Sequence, residues 1–148
     1  MKIITYSSIK ILIFMLMLFT IGNVNAQNTQ VTVSGIRSPK GQIILSVFKD
    51  EKTFEEEKPF KKIVFDKKTI SDGTLILNFN IEQGTYGITL LDDENLNGKL
   101  EKSMIGMPKE GFGFSNFYLE KLKKPSFSEF KTDVKYGGNN IGIRVKYM

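Results

Sequence analysis

Neither cysteine nor histidine occurs anywhere in the 148 residues. Without cysteine no disulfide can staple the chain, so core packing or a bound ion must hold it. Without histidine there is no Ser-His-Asp or Cys-His chemistry, no imidazole base and almost no zinc coordination. Catalysis would have to use carboxylates, lysines, tyrosines or a hard metal ion. A membrane-spanning run is missing as well. The longest apolar stretch, residues 11–21, is eleven residues, well short of the roughly 20 that a bilayer requires. A nucleic-acid signature is also lacking. The formal net charge is only +5, and two of its lysines, Lys2 and Lys10, lie at the extreme N-terminus.

That N-terminus has its own logic. Lys2 and Lys10 precede the apolar run without an acidic residue, and Val24 and Ala26 stand at the −3 and −1 positions of a cleavage site. This order predicts a secretory signal over residues 1–26, and hence export to the periplasm or the extracellular space. Removing it leaves 27–148 as a single domain with no membrane span, long enough for one core. No cysteine follows the run, which excludes lipid attachment through a cysteine.

Strand patterns dominate the remainder. Val31 and Val33 alternate with polar neighbours. Gln42 to Phe48 is β-branched and apolar on both faces, as in a central strand. Asp50 to Lys58 breaks the pattern and predicts a helical turn stopped by Pro59. Ile63 and Phe65 alternate next. Leu75, Leu77, Phe79 and Ile81 follow in strict period two, then Tyr86, Ile88 and Leu90. Residues 92–125 read as a long irregular connection in which Phe112, Phe114 and Phe117 cap one end of the core. Residues 127–136 read as a strand, and Ile141, Ile143, Val145 and Tyr147 close the chain by alternation. About seven strands without a long helix predict an all-β, antiparallel sandwich of immunoglobulin-like or transthyretin-like type. A closed barrel is the alternative.

One segment carries candidate chemistry. In Asp93-Glu94-Asn95-Leu96-Asn97-Gly98-Lys99-Leu100-Glu101, oxygen side chains fall at positions 1, 3 and 5, with glycine at 6 and Glu101 at 9. This is most of a calcium loop of the EF-hand type. Alternate side chains of a tightly wound loop point inward, so Asp93, Asn95 and Asn97 can converge on one hard cation. Gly98 permits the turn that brings the Lys99 carbonyl inward. The bidentate carboxylate at position 12 is replaced by Met104, which predicts weak binding, with Glu110 or Asp92 completing the shell from outside. The competing reading is a plain turn between strands.

The order Gly84-Thr85-Tyr86-Gly87-Ile88, then the loop, then Gly106-Met107-Pro108-Lys109-Glu110-Gly111-Phe112-Gly113-Phe114-Ser115-Asn116 resembles the DUF2141 family of exported bacterial proteins. Val33-Ser34-Gly35-Ile36-Arg37 and Lys40-Gly41-Gln42-Ile43 fit as well, so the resemblance runs from about Val31 to Tyr147. Family members commonly carry histidine where this chain has Asp92, and aspartate where it has Glu101. The resemblance implies architecture and export and supplies no activity. Two functional expectations follow. The first is a non-catalytic binding or structural module with a calcium loop, serving a cell-envelope protein or glycan. The second is a lectin-like or carbohydrate-active protein built on Asp92, Asp93, Glu94, Glu101 and Glu110. Glycoside hydrolysis would need two of these facing each other roughly 5–9.5 Å apart.

Overall fold

A computed structural model describes residues 27–104, 107–120 and 123–148. The expected signal segment, 1–26, lies outside the described residues.

The described chain forms β1 (Gln27–Ser34), β2 (Gln42–Phe48), α1 (Glu51–Glu55), β3 (Lys61–Asp66), β4 (Leu75–Ile81) and β5 (Gly84–Asp93). After these come β6 (Gly111–Phe114), α2 (Phe127–Phe130), β7 (Lys131–Val134) and β8 (Asn139–Arg144). Two sheets result. One is three-stranded, β4-β1-β8, and the other runs β3-β2-β5-β6, with β7 also pairing β5. The fold is all-β and mostly antiparallel. One pair departs from the antiparallel expectation, because β1 and β8 run parallel, Val31 opposite Ile141 and Val33 opposite Ile143. They lie at opposite ends of the chain, so the long crossover that a parallel pair needs is available.

Period-two alternation accounts for the main core. In β4 the burial alternates strictly, with Leu75, Leu77, Phe79 and Ile81 inside. Ile43, Leu45 and Val47 of β2 face Ile88 and Leu90 of β5 in the same cluster, across from Val31, Val33, Ile141 and Ile143. The other face of β2 is apolar too, as expected for a strand between two neighbours. Phe48 there joins Phe54, Phe112, Phe114, Phe127 and Phe130 in a second cluster outside the five-stranded sheet. Its rings meet mostly edge to face, for example Phe54 and Phe130 with centroids 4.9 Å apart. Phe112 and Phe114 therefore pack on the outer sheet face and do not cap an end of the main core.

Two segments differ from their sequence reading, and the strand count rises from about seven to eight. Residues 111–114 form a strand inside the supposed irregular connection. Residues 127–130 form a helical turn ahead of β7. The Glu129 carboxylate accepts the Ser126 backbone N–H at 2.7 Å, and the Phe127 N–H reaches Glu51 Oε2 at 2.9 Å. This satisfies amides that a first helical turn leaves without partners. The Asp50 side chain caps α1 in the same way, accepting from Thr53 N at 2.8 Å. The free side of β8 is partly closed by the segment after β5. Phe112 and Lys146 exchange backbone hydrogen bonds, and Asn116 N donates to the Gly142 carbonyl at 2.7 Å. The sandwich is thus stitched along one seam without becoming a closed barrel.

Candidate metal centre

β5 delivers Asp92 and Asp93 to the rim of the sandwich on opposite faces of one strand. Both are fully buried, and each is held by different partners. Asp92 continues the inward row of Tyr86, Ile88 and Leu90. It meets the buried Lys67 ammonium through Oδ1 and accepts the Tyr147 hydroxyl proton through Oδ2. The two remaining protons of Lys67 go to the Lys40 carbonyl at 2.7 Å and the Ser38 carbonyl at 3.1 Å. Burial, and then the bond to Asp92, push the Tyr147 phenol far above its usual range. Asp92 is therefore engaged, and it does not serve as an outside ligand to the loop.

Asp93 organises the loop instead. Its Oδ2 accepts Gln42 Nε2 at 2.7 Å and the Gly98 N–H at 2.9 Å, while Oδ1 accepts the Asn97 N–H at 3.1 Å. Burial alone would raise its pKa, but these donors outweigh burial and hold the carboxyl below its ordinary value. Asn95 Oδ1 accepts the Asn97 N–H at 2.9 Å, and Asn97 Oδ1 accepts the Lys99 N–H at 2.8 Å. Gly98 has φ +72°, the left-handed turn that the spacing predicts. Gly41 holds the start of the loop from beneath. Its φ is +81°, and a Cβ there would strike the Asp93 carbonyl.

The Asn95 amide reaches Glu101 Oε2 at 3.3 Å, so positions 3 and 9 of the loop touch. Lys102 and Pro108 then form a bridge, with Lys109 N donating to the Glu101 carbonyl at 2.9 Å. This places Glu110 beside the loop. Glu110 is 5% exposed and neither of its oxygens makes a hydrogen bond of normal geometry, the Glu101 amide acting only as a weak donor. Burial raises its pKa, the nearby Glu101 amide offsets part of the rise, and the charges of Asp93, Glu101 and Asp92 add to it. Among the described residues no three acidic side chains yet converge at ligand distance. The side-chain oxygens of loop positions 1 and 3 share the Asn97 N–H, that of position 5 turns to the Lys99 N–H, Glu101 bonds Asn95, and Lys99 is exposed.

The remaining acidic side chain of the segment, Glu94, is committed elsewhere. Arg37 Nε and Nη2 donate to its two oxygens at 3.0 and 2.6 Å, and the same guanidinium lies 4.2 Å above the Tyr147 ring. Sequence reasoning missed Lys67, Tyr147 and Arg37 as members of this rim. A lone lysine at a strand end and a tyrosine in a closing alternation carry no local sign of an ionic partner.

The profile of DUF2141, described as an uncharacterized protein conserved in bacteria, matches residues 31–142. The chain belongs to the DUF2141 family. The match runs from the second half of β1 through most of β8, and takes in the loop, Glu110 and the Lys67–Asp92 pair of this DUF2141 protein. No curated protein and no solved structure matches it. Among the described residues no helix is long and apolar enough to cross a membrane.

Proposed function

We propose that this DUF2141 protein is an exported, non-catalytic binding module whose 93–101 loop, together with Glu110, holds one calcium ion. The observation that carries this reading is Glu110: a buried carboxylate without a hydrogen bond of normal geometry, set against Asp93 and Glu101. A buried charge of this kind is costly until a counter-charge meets it. A hard divalent ion supplies that counter-charge, taking oxygens from Asp93, Asn95, Asn97, the Lys99 carbonyl, Glu101 and Glu110. Binding draws Glu101 and Glu110 towards Asp93. The movement ties the long connection after β5 to the sheet and takes the place of a disulfide. With three carboxylates and no bidentate ligand at position 12, affinity falls at the weak, extracellular end, on the order of 10⁻⁴–10⁻³ M.

Export rests on the 1–26 leader pattern, and N-terminal sequencing of secreted material beginning at Gln27 tests it. Of the two sandwich types, the strand order favours the transthyretin-like one. An immunoglobulin constant-type sheet sets the first strand beside the second, whereas β1 here lies between β4 and β8. The hydrolase alternative is weakened by the same geometry, since Asp92 is engaged by Lys67 and Glu94 by Arg37. Calorimetric titration with calcium decides the main proposal. One site with a millimolar or tighter constant, lost in Asp93→Ala, supports it, and no heat at 10-fold excess over about 1 mM refutes it.

A further inference from the structure

The outer face of the five-stranded sheet holds a cavity of about 810 Å³, within the range of small-molecule sites. Its floor is Ile44 and Ser46 of β2 with Thr89 and Leu91 of β5, side chains that point away from the main core. Phe48 and Phe54 close one end, and Phe112 and Phe114 form a side wall. The rim has a different character. Lys62, Lys99, Lys102, Lys123 and Lys124 all line it, against a single acid, Glu57. Lys124 is occupied by Glu55 at 3.2 Å. The other four lysines form no ion pair among the described residues.

We infer that this trough binds a free, single-chain amphiphile with an anionic head, a fatty-acid-like carboxylate, with its chain along the β2–β5 floor and its head among the rim lysines. Apolar walls supply affinity in proportion to the area they cover, and the few charged groups choose the head. Four lysines against one acidic side chain around an apolar trough repel a cationic amphiphile and attract an anionic one. Lys99 is shared, its side chain lining the trough and its carbonyl assigned to calcium, so the titration is made in chelator, where a failure of one reading leaves the other standing.

The test is calorimetry on the purified protein in chelator, using octanoate, decanoate and decyltrimethylammonium below their micelle concentrations. Decanoate should bind, and each added methylene should tighten binding by about fourfold. The cationic decyl compound should bind at least tenfold more weakly. Lys99→Gln/Lys102→Gln/Lys123→Gln, all at exposed positions, should weaken decanoate about tenfold with the melting temperature unchanged. Ser46→Phe should fill the floor and abolish binding, and the lysine variant stands as the test if that protein fails to fold. Equal binding of the two head groups, no dependence on chain length, or an unaffected lysine variant overturns the inference. So does sedimentation showing a dimer that decanoate cannot enter, which would give the trough to a second copy of the chain.

Discussion

Lys67 and Asp92 form an ion pair whose two side chains are both wholly shielded from solvent. The pair joins the turn after β3 to the last residues of β5, and the Lys67 ammonium also gathers the carbonyls of Ser38 and Lys40. One lysine thus ties three connections at the end of the sandwich where the candidate loop begins. Removing one partner strands the other charge in a site without water. Lys67→Ala should cost roughly 3–5 kcal/mol of folding free energy, measured by urea denaturation. Lys67→Met combined with Asp92→Leu and Tyr147→Phe should recover much of that loss, because no charge or hydroxyl is then stranded. A triple variant as unstable as Lys67→Ala would refute this account of the pair.

Glu110 should act in the opposite sense in the absence of metal. Its folded pKa lies above the ordinary value of 4.5. Between the two values the folded state therefore binds more protons, and stability falls as pH rises through that window. Glu110→Gln in chelator at neutral pH should raise the melting temperature and flatten this pH dependence. In the presence of calcium the same variant should lose the calcium-induced shift. A variant that keeps the full shift would remove Glu110 from the ligand set.

Asp93 titrates the other way. Its folded pKa is depressed below 3.8 by Gln42 and the loop amides. The stability it contributes is present above that ordinary value and is lost as pH falls through the lower folded one. Asp93→Ala should lower stability at neutral pH even without calcium, since the Gln42 amide and the Gly98 N–H lose their acceptor while the Asn97 N–H keeps only Asn95. It should also remove part of the acid transition, which a pH series of thermal melts would reveal.

Two glycines separate backbone conformation from crowding. A Cβ on Gly98 meets nothing within 4 Å, although φ is +72°. Gly98→Ala should therefore cost only the left-handed penalty, about 1–2 kcal/mol. Gly41→Ala adds a collision with the Asp93 backbone to a similar φ and should cost clearly more. Equal losses in denaturant titration would show that the Gly41 contact is soft.

Strands with one wet face were legible in the sequence because each residue advertises its side. The alternation of β4 and of β8 names their buried positions almost without error. β6 was hidden because two of its four residues, Gly111 and Gly113, look like loop residues. They are glycines because Val145 and Tyr147 crowd the first and Ile143 the second, where a Cβ would sit within 3.0 Å of a neighbour. The turn at 127–130 did carry a signal, Ser126-Phe127-Ser128-Glu129, the S-x-x-E of a capping box. Its run of phenylalanines spoke more loudly for a strand. The loop spacing was readable for the same reason that it folds, since each Asx side chain bonds an amide two to five residues ahead. The partner of Asp92 was not readable, because Lys67 stands 25 residues away and nothing local links them.

The place of β1 bears on how such a chain is made. The first strand to emerge occupies the middle of the smaller sheet, flanked by the fourth and the last. In synthesis from the N-terminus, that sheet lacks its third strand until β8 has been made. β1 can pair β4 early, but its other edge stays open until a partner more than 100 residues later has been made. The smaller sheet therefore closes late, through a pairing of very long sequence separation, the kind of contact that slows folding.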